Sequence, residues 1–408
     1  MDEQQGQQPK TGVAIRAYVL LLLALVAEGY DLQAANFAAP ELVRVLGITR
    51  AEVGPLLSAS LVGVLLGAVL IGPLGDRLGR KRLIVWACVS YGVFSLIASQ
   101  MHALSGLIAL RFLIGVGLGG VLPNALALAG EVSPPGRQAS ATAIIGIGIT
   151  FGGVVAGMVA AALLPAYGWP SLFIVGGVVP LLIAVLLQVG LPESPAFLNR
   201  GPTPRAVDAT PTPPGPGVLL QGGMAWVTIG IWVVFAAVLM TVYLLSGWLP
   251  LLLGQSGFSP RAAALITSGY HAGGVIGGIT ASLLLGRHGW KTVAIFAFAA
   301  CLFLVLLLWD SGSTALLALG IMAAGFCVTG TQNAINGAAG VTYPASMRAR
   351  GLGWALGLGR LGSIAGPLVG SLAVWLGLTQ ARELFMLPLI PLGIAAGIAL
   401  ALRGRTAQ

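Results

Sequence analysis

The sequence contains few charged residues. Only 8% of its 408 residues are Asp, Glu, Lys or Arg, and only twelve are acidic. Soluble domains are about 25% charged and about 45–50% apolar, whereas this chain is 57% hydrophobic with a mean hydropathy of +0.94. The composition therefore excludes a soluble globular domain and indicates an integral membrane protein with many spans.

Cysteine and histidine are also scarce, with three of each. Cys88, Cys301 and Cys327 lie singly inside apolar runs, a pattern that indicates neither a disulfide framework nor a metal site. The formal net charge is +9, but the sequence has no basic stripe with interleaved aromatic residues. We therefore expect a lipid bilayer as its environment and no nucleic-acid partner.

Long apolar runs are what the sequence has in abundance. Each is about the 20 residues needed to cross the hydrocarbon core. We expect an all-α polytopic membrane protein with twelve transmembrane helices in two pseudo-symmetric six-helix halves. The runs are 16–39, 52–74, 82–101, 104–128, 138–164, 170–191, 219–253, 262–286, 291–309, 314–340, 350–377 and 382–402.

The same runs define the domain organisation. Residues 1–15 form a polar tail without signal-peptide features, 16–191 the N-terminal half and 219–402 the C-terminal half. The halves are joined by a cytoplasmic linker over 192–218, whose many prolines cannot continue a helix, and 403–408 form a second tail. With both termini on one side, fifteen basic loop or tail residues face that side and four face the other. The positive-inside rule then makes both termini cytoplasmic.

A charged segment at 72–82 separates the second and third runs. It holds three glycines, one acid and four bases, which is typical either of a cytoplasmic anchor or of a specific gating loop. A degenerate second copy at 285–291 follows the eighth run, with Gly286 in the place of Asp76. Glycine-rich stretches at 146–157 and 357–370 also correspond, as two parallel repeats predict.

Four charged residues lie inside the apolar runs. Glu28 and Asp31 are three residues apart and share one helical face. Ionised carboxylates are costly in hydrocarbon, so the pair is read as a proton-coupling site, with a snorkelling end residue or a structural ion pair as the alternatives. An arginine cannot shed its charge and needs an anion. We expect Arg111 to pair with these acids, and Arg360 to bind a substrate carboxylate or, alternatively, backbone carbonyls.

Several motifs resemble one known family. The order Gly-x-Leu-Gly-Asp-Arg-x-Gly-Arg-Lys-Arg at 72–82 resembles the signature loop of the major facilitator superfamily. Glu-Gly-Tyr-Asp at 28–31, Leu-Pro-Glu-Ser-Pro at 191–195, Trp-Leu-Pro-Leu-Leu-Leu at 248–253 and the Arg- and Gly-rich stretch at 348–362 resemble its aromatic acid:proton symporters. The resemblance covers nearly the whole chain, although the family's central loop is usually longer and more charged. The glutamate form of the first motif resembles hydroxyphenylpropionate transporters more than hydroxybenzoate transporters.

The resemblance implies roles for particular residues. Glu28 and Asp31 match the family's essential acids, and Arg111 matches a helix-four arginine. The gating residues that it implies are Gly72, Gly75, Asp76, Arg77, Gly79, Arg80, Glu131 and Arg137. Asp76 is expected to face the N-terminal end of helix eleven and to hold the cytoplasmic side closed.

An aromatic acid also needs surfaces for its ring and partners for ring hydroxyls. Polar or amphipathic side chains in mid-membrane positions are candidates, although each singly is more often a helix-to-helix hydrogen bond. Besides Arg360 they are Tyr243, Tyr270, His271, Gln332, Asn333, Asn336 and Trp354.

We therefore expect a secondary transporter of the bacterial inner membrane. It would import an aromatic carboxylate of the hydroxybenzoate or hydroxyphenylpropionate type with protons by alternating access, as a monomer, without a cofactor and driven by the proton gradient. Neutral substitution of Glu28 or Asp31 should abolish uptake and leave the protein folded. The alternative is a drug or metabolite exporter that works by proton antiport. A membrane-embedded enzyme or a transporter-like sensor is more remote, since the sequence lacks a nucleophile with its base and an appended soluble domain.

Overall fold

A computed structural model describes residues 11–134, 136–198, 215–221, 223–308, 312–344, 346–378 and 380–403. The first ten residues, most of the predicted linker and the end of the C-terminal tail lie outside the described residues. The described part contains helices and turns and no β-strand.

Twelve long helical segments, α1 to α12, make up the described structure. α4 is interrupted at Gly120 and α12 at residues 387–388. Ten segments are long and apolar enough to span a membrane, α9 is apolar but shorter, and α8 is long but is not among these ten. The segments are α1 Thr11–Leu46, α2 Val53–Leu70, α3 Arg80–Ala98, α4 Leu104–Glu131, α5 Gln138–Tyr167, α6 Pro170–Gly190, α7 Ala225–Gln255, α8 Pro260–His288, α9 Trp290–Leu306, α10 Thr314–Thr342, α11 Arg348–Trp375 and α12 Arg382–Leu402.

The helices differ from the apolar runs mainly at their ends. α1 begins at Thr11, inside the segment predicted as a tail, and continues to Leu46 rather than stopping at residue 39. α7 begins at Ala225 rather than 219, because Pro216–Leu220 forms a separate 3₁₀ helix. Hydropathy marks only the apolar part of a helix, so a polar end such as the one at Glu41 and Arg44 is not seen.

Close helix packing depends on glycines, as expected where small residues replace a hydrophobic driving force. A Cβ on Gly63 of α2 would lie 2.2 Å from the carbonyl oxygen of Phe112 in α4. A Cβ on Gly29 of α1 would lie 2.0 Å from the carbonyl oxygen of Ile149 in α5. Backbone therefore lies directly against backbone in the pairs α2–α4 and α1–α5.

The same packing recurs in the C-terminal half at a constant shift. Gly273 of α8 meets the carbonyl of Met322 in α10 as Gly63 meets that of Phe112, and each residue is 210 positions beyond its counterpart (273 − 63 and 322 − 112). The pair α7–α11 repeats α1–α5 with the same shift. The internal repeat in the sequence is thus a repeated packing arrangement. By the same shift of 210 positions, Gly286 is the residue equivalent to Asp76.

The two halves meet at one end of the bundle. We call the end that carries residues 72–82 the basic face and the other end the opposite face. Near the opposite face the backbone N–H of Gly54 donates to the hydroxyl of Ser371 (2.8 Å), and the Ser58 hydroxyl donates to the carbonyl of Ile364 (2.8 Å). The Ser268 hydroxyl likewise donates to the carbonyl of Val154 (3.0 Å). These contacts join α2 to α11 and α8 to α5.

Toward the basic face the glycines of the same helices have open space around them. A Cβ built on Gly146 of α5, Gly286 of α8, or Gly353 or Gly357 of α11 would meet nothing within 4 Å. The described contacts therefore close the molecule at the opposite face and leave it open at the basic face. We call the contacts between the halves at the opposite face the seal. On the outer side of this seal, a cavity of about 720 Å³ lies between the ends of α1, α5, α7 and α8. Its charged lining residues are Glu41, Arg44 and Arg50.

Candidate functional site

A buried ion pair joins α1 to α4. Nη1 of Arg111 lies 3.2 Å from Oδ2 of Asp31 and also donates to the Asp31 carbonyl (3.1 Å), while Nη2 donates to the Ser60 hydroxyl of α2 (2.9 Å). The side chain of Arg111 is 1% exposed and that of Asp31 is fully buried. The structure thus gives Arg111 a partner among the helix-one acids, and a role in proton coupling stays a prediction.

The second carboxylate oxygen of Asp31 faces α3. The Ser95 hydroxyl lies 3.3 Å from Oδ1 of Asp31 and 3.0 Å from the carbonyl of Phe173, so it donates to one of them at a time. Gly176 of α6 leaves space for the Asp31 carboxylate, because a Cβ there would lie 3.0 Å from Oδ1. Groups on several helices therefore fix the position of the Asp31 carboxylate. Sequence reasoning missed Ser60 and Ser95, since single hydroxyls inside apolar runs carry no distinguishing pattern.

Glu28 has different surroundings. It is 1% exposed, and its Oε2 has no hydrogen-bond partner. Its electrostatic neighbours are the Cys88 thiol and the Tyr91 hydroxyl on α3, both neutral, and the guanidinium of Arg360 on α11. The Tyr91 hydroxyl is also buried without a hydrogen-bond partner. The cation that acts electrostatically on Glu28 therefore belongs to the other half of the molecule.

Tyr270 and His271 lie at the seam between the halves. Their rings meet edge to face with centroids 5.4 Å apart, and neither the Tyr270 hydroxyl nor Nε2 of His271 has a hydrogen-bond partner. The imidazole packs on Gly153 of α5, where a Cβ would lie 2.7 Å from Nδ1. Both side chains are buried, so they lie within the contact that joins α5 to α8.

The other predicted substrate residues lie in the C-terminal half. Asn333 donates to the carbonyl of Thr329 in its own helix (3.0 Å), and the ring of Trp354 lies 6.2 Å from that of Trp232 in α7. Tyr243 packs partly buried against the core, Gln332 is half-buried and Asn336 is exposed. Arg360 thus lies within electrostatic reach of Glu28, whereas Asn333 and Trp354 make contacts within their own half. Substrate binding by this set stays a prediction.

The charged loop is anchored to the ends of two other helices. Arg80 pairs with Asp76 (3.0 Å) and with Glu131 at the end of α4, and Glu131 accepts from the Ser194 hydroxyl after α6. Glu193 in turn accepts from the backbone N–H of Lys81 (3.0 Å). The loop, α4 and the segment after α6 therefore form one polar network. Sequence reasoning placed Arg80 and Glu131 in gating, but it noted Glu193 and Ser194 only as part of a family motif and gave them no role.

Two glycines of the loop are required by this geometry. Gly79 has φ +96°, and a Cβ there would lie 2.6 Å from Oε2 of Glu193. A Cβ on Gly75 would lie 1.7 Å from Oδ1 of Asn124, whose amide donates to the carbonyl of Gly72 (3.2 Å). Arg77 and Arg137 are exposed. These two glycines thus leave space for the side chains of Glu193 and Asn124, which fix the loop.

The second copy of the loop is fixed by a neutral hydrogen bond. Trp290 stands at the position equivalent to Arg80, and its indole N–H donates to the hydroxyl of Thr342 at the end of α10 (2.8 Å). Gly289 keeps a positive φ of +52°, as Gly79 does. The repeated backbone is thus held by different chemistry in the two halves. The predicted contact of Asp76 with the start of α11 stays a prediction for a state in which the halves meet at this face.

Comparison with known proteins identifies a family. A family model described as Major Facilitator Superfamily matches residues 21–287. The chain is 35% identical to the 4-hydroxybenzoate transporter PcaK of Pseudomonas putida, over 96% of this chain and 92% of that protein. It is 34% identical to the gallate transporter of Pseudomonas putida (88% and 85%) and 33% identical to the 3-(3-hydroxy-phenyl)propionate transporter of Escherichia coli (88% and 86%).

Solved structures with the same fold are more distant in sequence. A D-xylose-proton symporter matches with a TM-score of 0.76 at 17% identity, covering 96% of this chain and 98% of that one. A bacterial homolog of the human lysosomal transporter Spinster, in an inward-facing and occupied conformation, matches with a TM-score of 0.75 at 16% identity, covering 98% of both chains. At these identities the likeness shows the twelve-helix fold.

Proposed function

The chain belongs to the major facilitator superfamily, and from this premise we propose that it imports an aromatic carboxylate together with protons across a bacterial inner membrane. Support comes from the relatives above, whose names describe carriers of hydroxylated aromatic acids. The chain is an integral membrane transporter and not an enzyme. We further propose that it acts as a monomer, without a cofactor, and that the proton gradient drives it.

The observation that carries the proposal is the division of the buried charges. Arg111 is paired with Asp31 inside the N-terminal half, so its charge is already neutralised. Arg360 lies half-buried in the C-terminal half, within electrostatic reach of Glu28. A planar guanidinium at that depth is suited to bind a carboxylate through two parallel hydrogen bonds. The apolar helices around it would suit an aromatic ring.

The orientation follows from the distribution of basic residues. In the topology expected from the sequence, fifteen basic loop or tail residues belong to the side of the basic face and four to the other side. We propose that the basic face is cytoplasmic, with both termini inside. The described contacts then correspond to an inward-open state, and the cavity near Arg44 and Arg50 would be the periplasmic entrance. Alternating access would exchange the seal at Ser58 and Ser268 for contacts at the basic face.

Uptake by proteoliposomes tests the proposal. Purified protein is reconstituted, an acidic exterior is imposed, and accumulation of radiolabelled 4-hydroxybenzoate is measured. We expect accumulation above equilibrium that a protonophore abolishes. Unlabelled 3-(3-hydroxyphenyl)propionate, gallate and benzoate added as competitors would rank the substrates. Accumulation that requires an acidic interior instead would favour proton antiport and the exporter alternative, and binding of no aromatic acid would refute the proposal.

A further inference from the structure

The cavity at the opposite face is built by both halves of the molecule. Its walls are the ends of α1 and α5 from the N-terminal half and the ends of α7 and α8 from the C-terminal half. Its volume of about 720 Å³ lies within the range of about 300–1,000 Å³ that is typical of small-molecule sites. Neither Glu28 nor Arg360 lines it. The cavity is therefore a space distinct from the proposed transport site.

The charged groups of the cavity favour an anion. Glu41 is the acid of its lining and Arg44 and Arg50 are the bases, so two positive charges against one negative charge leave +1. Arg44 lies 3.5 Å from Glu41 and its side chain is 76% exposed, so this ion pair is weak. Within the described part of the chain, Arg50 forms no ion pair and no side-chain hydrogen bond. Its guanidinium therefore has all its N–H donors available for a carboxylate.

The remaining walls of the cavity suit an aromatic ring. Phe37 is buried, Phe258 is half-buried, and Pro250 adds a rigid apolar surface from inside α7. Apolar and aromatic surfaces with a few polar groups are the usual lining of a site for a small organic ligand. The carboxylate of Glu41 can accept a hydrogen bond from a ring hydroxyl. The lining thus matches a hydroxylated aromatic monocarboxylate.

Part of the cavity wall also belongs to the seal. Phe37 and Ala264 line the cavity, and both lie against Gly157 of α5. A Cβ on Gly157 would lie 3.0 Å from Cζ of Phe37 and 3.0 Å from the carbonyl oxygen of Ala264. Opening of the opposite face would separate α5 from α8 and remove this wall. A ligand that binds the cavity therefore favours the sealed state, by the difference in its affinity for the two states.

We infer that the cavity is a second binding site for an aromatic carboxylate, and that its occupant holds the seal closed. This inference rests on the proposed function, because the ligand is the proposed substrate. Arg50 binds the carboxylate, and the apolar wall around Phe258 binds the ring. At high external concentration the acid occupies this site and slows the return of the empty carrier to the state that is open at the opposite face. The substrate thus limits its own uptake.

The number of bound molecules tests the existence of the site. Purified protein in detergent is dialysed to equilibrium against radiolabelled 4-hydroxybenzoate up to saturation, and we expect two molecules bound per wild-type chain. Arg50→Gln should lose one of them, because it removes the unpaired guanidinium. Gly254→Leu should lose the same one, because Gly254 lines the cavity and a Cβ there meets only Pro40, at 3.9 Å. The larger side chain can therefore extend into the cavity without a backbone clash.

Two matched variants serve as controls for this stoichiometry. Arg261→Gln removes an exposed arginine at the same face that does not line the cavity. Gly397→Leu makes the same change in α12, where a Cβ meets nothing within 4 Å. Both should bind two molecules per chain. Two molecules in both cavity variants, or one in the wild type that both cavity variants keep, would overturn the inference. Failure of the wild type to bind any aromatic acid would instead refute the proposed function.

The effect on the seal has a separate measurement. A cysteine is introduced at Leu57, a buried residue next to Ser58 of the seal, and its rate of labelling is followed. Saturating 4-hydroxybenzoate should slow this labelling in the wild-type background, and the slowing should be lost in Arg50→Gln. Equal slowing in the two backgrounds would show that an occupant of the cavity does not hold the seal.

Discussion

At the scale of single residues, Asp31 and Glu28 have the same charge but different tasks. Asp31 neutralises a guanidinium that is 1% exposed and cannot lose its proton. Removing one partner of a buried ion pair leaves an uncompensated charge in a medium that solvates it poorly, which costs about 3–5 kcal/mol. Asp31 therefore contributes to folding, in contrast to the expectation from sequence that either acid could be neutralised at no structural cost.

Asp31→Asn should accordingly destabilise the protein, because Arg111 loses its counter-ion. We expect a lower midpoint of thermal unfolding in detergent and a lower yield of monodisperse protein. Glu28→Gln is the matched comparison, since it removes a carboxylate one turn away that has no matched partner in its own half. A midpoint for Asp31→Asn equal to that of Glu28→Gln would show that the ion pair does not support the fold.

Sequence alone predicted part of this site. The cost of charge in hydrocarbon singles out Glu28, Asp31, Arg111 and Arg360, and it also predicts that Arg111 needs an acid. Which acid it meets depends on the depth and rotation of three helices, which the sequence does not encode locally. The supporting hydroxyls Ser60 and Ser95 are ordinary serines until the fold brings them to the ion pair.

At the scale of helices, glycines decide how closely the elements approach. α5 and α8 meet across the interface because Gly157 has no side chain: a Cβ there would lie 2.6 Å from Cβ of Ser268 and 3.0 Å from the carbonyl oxygen of Ala264. This contact belongs to the seal at the opposite face. The glycine-rich stretch was predicted as a repeat, but its role in the seal required the positions of both helices.

Gly157→Ala should weaken this seal and shift the protein toward the state that is open at the opposite face. The expected result is greater solvent accessibility there, measured as faster labelling of a cysteine introduced at Leu57. Gly146→Ala is the control, because it makes the same change in α5 where a Cβ meets nothing within 4 Å. Equal labelling rates in the two variants would contradict the assignment of the seal.

The two charged loops offer a second comparison between elements. Gly79→Ala forces a side chain onto a φ of +96° and against Glu193, whereas Gly289→Ala meets a φ of +52° and open space. Both glycines have a positive φ that side chains rarely adopt, which costs about 1–3 kcal/mol at each position, and at Gly79 the clash with Glu193 adds to this cost. We expect Gly79→Ala to lower the unfolding midpoint more than Gly289→Ala does. A reversed order would mean that Glu193 is not a fixed anchor.

At the scale of the whole molecule, the sequence predicted two six-helix halves and the structure shows how they repeat. The two halves are predictable because the length of each apolar run and the glycines shared between the repeats can be read from short stretches of sequence. Which face is closed was not predictable in the same way. Alternating access is a near-balanced equilibrium between two packings of one sequence, so small differences in free energy decide which is populated.

Asp76 belongs to the face that is open in this structure. It pairs with Arg80, and its carboxylate is 59% exposed. We predict that it contacts the start of α11 when the halves meet there, where it would offset the positive end of the helix. Asp76→Asn should slow transport with little loss of ligand affinity and should raise the reactivity of a cysteine placed at Gly353. Slower uptake with unchanged labelling would exclude a latch at this position.

The central claim is that the chain imports an aromatic carboxylate together with protons, with Glu28 as a predicted proton-coupling residue. The most direct test compares two fluxes of radiolabelled 4-hydroxybenzoate in the same proteoliposomes containing Glu28→Gln. One flux is exchange between equal internal and external pools, and the other is accumulation driven by an acidic exterior. The account predicts that exchange continues while accumulation is lost, because the substrate still crosses on Arg360 but carries no proton. Accumulation by Glu28→Gln to the wild-type level would contradict it.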